Sequence, residues 1–364
     1  MTRSVLLVGS VPLRPATAVF EVVTAEIGDL VERVPDGDQH GWLLAAQSTF
    51  DSNPALEIGH YVPLTSGGIE VPMYRLRSGL TAADLRLGPY GYADTAAESY
   101  AAFTRLRQEG IIRDGVRFQV TMPGPGTSVF AIELPAAELL PIARDALARE
   151  IDEITARIPP HDLTIQLDIA MEAEHEEYRR RPDAFDTPIH EAFDWTLEQM
   201  AESAAWLANR VPEDAELGFH ICSIWHHYQA GGQDNAVLVD TINAIAARVD
   251  RPIGYFHMPT IPEHDVEDFA PLRNLRLGDG TQFYLGVIHK HDGIEGVRRR
   301  ISAAQSAVRD FGIASFCGLG LPATSEGQVG KMKLGEKLPE NYWNLPAEGI
   351  RKTLALHRLA AMTD

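Results

Sequence analysis

The sequence predicts an α/β fold, a single (β/α)8 barrel, on three observations. Short β-rich runs alternate with long amphipathic helical patterns, the signature of a parallel sheet wrapped by crossover helices. Eight such runs occur, the number that closes a barrel. The chain has 364 residues with 45% hydrophobic content, enough to bury one large core. No internal repeat, low-complexity tract or linker divides it, so residues 1–364 read as one TIM-barrel domain.

The first run, Val5–Val8, follows Met1-Thr2-Arg3 and imitates a secretory leader, with Ala16-Thr17-Ala18 in the place of a cleavage site. Gly9, Ser10 and Pro12 break the apolar stretch and Arg14 stands where it should continue, so a strand is the better reading. The other strands are expected at Val31–Val34, Phe118–Met122, Thr164–Leu167, Leu217–Ile221, Ile253–Phe256, Phe283–Ile288 and Ile313–Phe316. Helical patterns lie near Thr17–Leu30, Leu134–Arg157, His190–Ala208, Ala236–Arg248, Ile294–Asp310 and Ala347–Met362. In the last, Ile350, Leu354, Leu356, His357 and Ala360 form a stripe at helical spacing. The stretch from about residue 53 to 92 is rich in Gly, Pro and Tyr without sustained periodicity. It reads as a long insertion after the second strand, a lid in preference to a loose surface loop, because long loops in compact domains tend to be functional.

Net charge is −19, and the basic clusters are Arg179-Arg180-Arg181 and Arg298-Arg299-Arg300, both on expected helices or their ends, where solvated charge explains them. A nucleic-acid partner needs a basic surface that displaces counterions, so none is expected, and an anionic membrane is disfavoured for the same reason. No stretch approaches the roughly 20 apolar residues that span a bilayer. Two cysteines make no disulfide framework. These features suit a cytoplasmic protein, and they leave a homo-oligomer open.

Barrel chemistry gathers at the carboxyl ends of the strands. There the chain places Gly9-Ser10, Asp36-Gly37-Asp38, Met122-Pro123-Gly124-Pro125-Gly126-Thr127, Gln166-Leu167-Asp168, His220-Ile221-Cys222, His257, His289 with His291, and Cys317-Gly318. His220 and Cys222, separated by one residue at a strand end, can converge on one ion with the distant Cys317, which suggests zinc. Buried free cysteine is also a common small hydrophobe, so from the cysteines alone both readings stand. Asp36-Gly37-Asp38 is an ordinary turn as readily as a site, the Pro-Gly-Pro-Gly run a tight loop, and His289 and His291 solvent-facing groups before a helix. Trp225 and Tyr228, with Phe256 and Phe316, would line an aromatic pocket or merely pack the barrel top. His226 or His227 is a weaker candidate for acid, base or substitute ligand.

The order and wording of these segments resemble the catalytic barrel of cobalamin-independent methionine synthase and its single-barrel relatives, epoxyalkane:coenzyme M transferase among them. The resemblance runs from Gly9-Ser10 to Cys317-Gly318-Leu319, and its most specific element is the His-x-Cys with a distant Cys-Gly. It implies a Zn2+ held by His220, Cys222 and Cys317, with His257 in the place of the family's carboxylate ligand. Neutral imidazole for carboxylate would leave the site one unit more positive and the zinc more electrophilic. The implied chemistry is attack of a zinc-stabilised thiolate on an alkyl group carried by a second small molecule. Ser10, Asp38 and Asp168 occupy the places that hold an amino-acid acceptor in the family. The scarcity of basic surface weighs against a polyglutamylated folate as donor, and three departures weigh against homocysteine as acceptor. The family's Gly-Ser-Phe-Pro-Arg is here Gly-Ser-Val-Pro-Leu, the turn acid is Asp38 instead of Glu, and Asp-Glu-Pro has become Asp168-Ile169-Ala170.

Three functions are therefore expected in order. The first is a zinc-dependent methyl- or alkyltransferase acting on a small-molecule thiol and an alkyl donor. The second is a zinc lyase or hydrolase for a small oxygenated, even aromatic, substrate. The third is a non-catalytic ligand-binding barrel.

Overall fold

A computed structural model describes residues 2–63, 69–185, 188–222, 233–289, 292–319, 332–333 and 345–363. In chain order the elements are β1 (Val5–Leu6), α1 (Ala16–Ile27), β2 (Arg33–Pro35), α2 (Trp42–Asp51), β3 (Leu56–Pro63), β4 (Ile69–Leu76), α3 (Tyr92–Gln108), β5 (Arg117–Pro123), α4 (Pro125–Val129), α5 (Ala136–Arg157), β6 (Leu163–Ile169), α6 (Met171–Arg180), α7 (Leu197–Ala208), β7 (Glu216–Ile221), α8 (Asn235–Ala246), β8 (Tyr255–Pro259), β9 (Gln282–Ile288), α9 (Gly293–Gln305), β10 (Gly312–Ser315), β11 (Met332–Lys333) and α10 (Ala347–Ala361). Eight strands form one parallel sheet in the order β1-β10-β9-β8-β7-β6-β5-β2. It is the expected α/β barrel, nearly closed, with helices between the strands. Among the described residues no helix is long and apolar enough to cross a membrane.

Closure is weakest between β1 and β2. The two edges meet at a parallel bridge between Ser10 and Gly37, where the Val11 amide donates to the Gly37 carbonyl at 3.2 Å. Below it, among the described residues, the Val5 amide donates to the Leu30 carbonyl at 3.0 Å but no strand ladder joins β1 to β2. Two side-chain amides from the barrel interior donate to carbonyls just past β1. Gln119 Nε2 donates to the Leu7 carbonyl and Gln166 Nε2 to that of Val8. A buried carbonyl without a donor costs about 1–3 kcal/mol, so polar residues inside the barrel are what this seam requires.

Strand alternation then sorts the interior from the exterior. On β6 and β7, Ile165, Leu167, Leu217, Phe219 and Ile221 join the large apolar layer between sheet and helices. Their neighbours Thr164, Gln166, Asp168, Glu216, Gly218 and His220 point the other way. Among the described residues the lumen holds a small apolar cluster, Leu6, Val8, Tyr255, Tyr284 and Ala314. Around it runs a polar column in which Thr164 Oγ1 donates to Glu216 Oε2 (2.6 Å), the Tyr255 hydroxyl to Gln166 Oε1 (2.8 Å), and Gln166 Nε2 to Asp168 Oδ1 (2.8 Å).

Between β2 and β5 the chain forms α2, an antiparallel hairpin of β3 and β4, and α3. The hairpin is tied to the carboxyl side of β5. The Tyr74 amide donates to the Ala131 carbonyl, the Glu133 amide to the Tyr74 carbonyl, and the Tyr74 hydroxyl to Asp51 Oδ1. The basic triplets are paired with acids, and Arg300 is not solvated as its sequence context suggests. It is fully buried, bound to Asp292 and to the carbonyls of Val287 and Pro262.

Candidate metal centre

His220 and Cys222 are two residues apart at the end of β7, so both face the lumen, and the Cys222 amide still donates to Ile169 of β6. Cys317 arrives from β10 through a local rearrangement. The β10–β9 register shifts between Ile313 and Ser315, a bulge that turns the chain inward. Gly286 makes room for this turn, since a Cβ there would lie 2.6 Å from the Cα of Phe316. Gly318 has a similar cause: a Cβ would meet Ser10 Oγ at 2.0 Å. The Cys-Gly pair is thus a packing requirement of the rim.

The outcome is a group of three donors, His220, Cys222 and Cys317, whose ligand atoms lie within 4.8 Å of one another. The two Sγ atoms are 4.0 Å apart, and Cys317 Sγ is 3.5 Å from His220 Nε2. Both thiols are free, their separation being about twice an S–S bond. Burial pushes the Cys222 thiol well above its usual range, and the hydrogen bond to Cys317 adds to the rise. Burial, then the His257 ring, holds His220 low and therefore neutral, the form that ligates. Tetrahedral zinc, with Zn–S near 2.3 Å and Zn–N near 2.0 Å, sets its sulfurs about 3.8 Å apart and its nitrogen about 3.5 Å from each. The Cys222–Cys317 and Cys317–His220 separations match those values, and a cation among the three donors would reverse the cost of ionising the buried Cys222 thiol and its half-buried partner Cys317.

His257 does not join the three. It lies within β8, in register with His220, and is fully buried. Its Nδ1 faces His220 Nδ1 at 2.7 Å and its Nε2 faces the Ser315 carbonyl at 3.1 Å, so both ring nitrogens are taken. Burial lowers its pKa to about 3, partly offset by the Ser315 carbonyl.

Asp168, at the end of β6 and in register with His220, is 5% exposed. Burial raises its pKa well above the carboxylate range. The Gln166 amide works against this, while Cys317, Asp38 and Glu172 add to it. Asp38 is half-buried and left-handed, at φ 63°. Its Oδ1 accepts the backbone N–H groups of Gly41 (3.0 Å) and Trp42 (2.6 Å) at the start of α2. Burial and then the Asp36 charge push it up to about 6. Asp36 itself is a turn residue, accepting from the Asp38 and Gln39 amides and from Ser99 Oγ. Ser10 borders the site through Gly318, and its carbonyl accepts the Leu319 amide at 2.7 Å.

Trp42 has no signal in the sequence, yet its side chain packs with Cys317 against the pair Ala170 and Cys222. Its backbone stands at φ 38°, unusual for a bulky residue, held by Asp38 and by the Tyr92 hydroxyl, which donates to its carbonyl at 2.8 Å. The Pro-Gly-Pro-Gly-Thr run is also structural. Thr127 Oγ1 accepts the Ala170 and Met171 amides and donates to Glu172, and a Cβ at Gly124 or Gly126 would press on Glu172. One expectation about the aromatic pocket changes: Phe256 faces outward and stacks on Phe219 at 5.0 Å in the outer core. Phe316 stacks on the buried His289 at 5.1 Å. Trp225, His226, His227, Tyr228 and His291 lie outside the described residues.

Fold and site together define a (β/α)8 barrel with a nitrogen–sulfur donor group at its carboxyl mouth. No protein-family model matches the chain, and no curated protein matches it in sequence. Among solved structures it is similar to a candidate vitamin-B12-independent methionine synthase from Listeria monocytogenes, with 13% identity, 98% of each chain covered and a TM-score of 0.53. At that identity the likeness establishes the fold.

Proposed function

We propose that this protein is a zinc-dependent transferase that moves a methyl or other small alkyl group to a thiol. The observation that carries the reading is the trio His220, Cys222 and Cys317, whose separations of 4.0 and 3.5 Å suit a tetrahedral zinc ion. The neighbouring fold is that of a candidate methionine synthase, which supports the same chemistry. Zinc bound there would hold a substrate thiol as its thiolate at neutral pH. The chain's own residues do the rest. Asp168, beside the trio and with its pKa raised by burial, faces the polar end of the acceptor while Gln166 fixes its Oδ1. Asp38 holds Trp42 against the cysteines, so that the indole walls the place where the alkyl group is exchanged. Ser10 completes the rim on the β1 side. The β3–β4 hairpin, anchored beside the end of β5, would act as the lid that excludes water.

The lyase or hydrolase reading drew on His257 as a ligand, whose two ring nitrogens are both hydrogen-bonded, and on an aromatic loop that lies outside the described residues. A non-catalytic barrel would not require a buried and a half-buried thiol facing a neutral imidazole. Elemental analysis of the purified protein should give one zinc per chain, lost in Cys222→Ser and in Cys317→Ser. Incubation with homocysteine or coenzyme M and a panel of methyl donors should give a thioether by mass spectrometry. Activity retained in both variants would overturn the proposal.

A further inference from the structure

Building on the zinc reading above, we infer that His257 is a positioning residue that fixes the tautomer of His220, leaving the metal with three protein ligands and a fourth place for substrate. A neutral imidazole has one donor and one acceptor nitrogen. The Ser315 carbonyl only accepts, so His257 Nε2, 3.1 Å away, carries the hydrogen. His257 Nδ1 is then an acceptor. The nitrogen it meets at 2.7 Å, His220 Nδ1, must donate. That leaves the lone pair of His220 on Nε2, the atom that faces Cys317 Sγ at 3.5 Å within the donor group.

The chain of bonds closes on itself. Ser315, which receives the His257 hydrogen, also donates its Oγ to the carbonyl of Cys317, so one turn of backbone orients both the imidazole and the sulfur. Both rings are buried, at 0% and 1% exposure, and among the described residues no carboxylate contacts either. For His257 to ligate, it would have to give up one of these hydrogen bonds inside a dry strand interior. With two thiolates and a neutral imidazole, a divalent ion is charge-balanced before substrate arrives. A carboxylate in the place of His257 would make the group net negative and disfavour a third thiolate.

X-ray absorption on the zinc-loaded wild type tests this directly: one imidazole and two sulfurs are expected, with one light atom completing the shell. Metal affinity by chelator competition supplies the second arm. His257→Phe keeps a ring but removes the acceptor, and should weaken zinc binding roughly 10–100-fold. His257→Gln, which can accept from His220 and donate to Ser315, should stay within a few-fold of wild type. Two imidazoles in the wild-type shell, or wild-type affinity in His257→Phe, would overturn the inference while leaving the zinc reading intact. Failure of the wild type to bind zinc stoichiometrically would overturn both.

Discussion

The two ends of the barrel bury charge in opposite ways. At the amino-terminal floor, Arg33 is 1% exposed and makes five hydrogen bonds, two to Glu216 and one each to Glu32, Gln282 and Tyr284. Its guanidinium also lies 4.7 Å from the centre of the Tyr255 ring. Burial alone would lower its pKa, but Tyr284, Glu216 and Tyr255 outweigh that and raise it. At the carboxyl mouth, burial instead leaves groups away from their charged forms: Asp168 and Cys222 are pushed up, His220 is held down. Trp42 Nε1 and Glu172 Oε1 have no hydrogen-bond partner among the described residues. A buried charge with a full set of partners specifies structure, whereas under-partnered groups facing one another are what a ligand can complete.

The contrast can be broken at the floor first. Arg33→Ala strands Glu216 and should cost roughly 3–5 kcal/mol of stability, read from denaturant unfolding of the metal-free protein. A loss under about 1 kcal/mol would mean that the floor is not the structural end.

Asp38 gives the next effect, and its sign is set by a raised pKa. The folded protein binds the proton more tightly than the unfolded chain, whose group titrates near 3.8. Stability therefore falls as pH rises between about 4 and 6, and the deficit is complete above the folded value. Asp38→Asn keeps an oxygen for the Gly41 and Trp42 amides but removes the titration. Relative to wild type it should gain up to roughly 2–3 kcal/mol between pH 4 and pH 8. Denaturation midpoints across that range check it, and a pH-independent difference would contradict it.

The smallest change is expected where function is greatest. Cys317→Ser, half-buried at the mouth, should alter the metal-free stability by no more than about 1 kcal/mol while abolishing zinc binding. A severe loss of metal-free stability would assign the mouth a structural role after all.

Much of this architecture is legible in the residue pattern. The strands expected at Phe118–Met122 and Leu217–Ile221 sit inside β5 and β7 because their outward residues form a strong apolar layer. The first strand is shorter than its apolar run, since β1 loses its partner toward the seam. Helix α6 carries no readable stripe: Glu172, Glu174, Glu176 and Glu177 are buried in it, held by contacts that periodicity cannot reveal. The hairpin is hidden by glycine and proline within its strands, which read as loop.

The trio was visible because its residue types are rare in this chain. The role of His257 was not, since ending its strand at Phe256 places it past the sheet, whereas β8 runs through Pro259 and turns it toward His220. Trp42 is fixed by a left-handed turn and a carboxylate clamp, and hydropathy records neither.

The seam between β1 and β2 gives the donor group two grips of unequal firmness. His220 and Cys222 ride on β7, hydrogen-bonded on both flanks, whereas Cys317 follows β10, whose other neighbour is the two-residue edge strand β1. Leu319, just past that cysteine, hangs from the Ser10 carbonyl, and Ser10 is itself half of the bridge that zips the cylinder shut. Parting that zipper would loosen the hold on one sulfur and leave the other two donors anchored on β7.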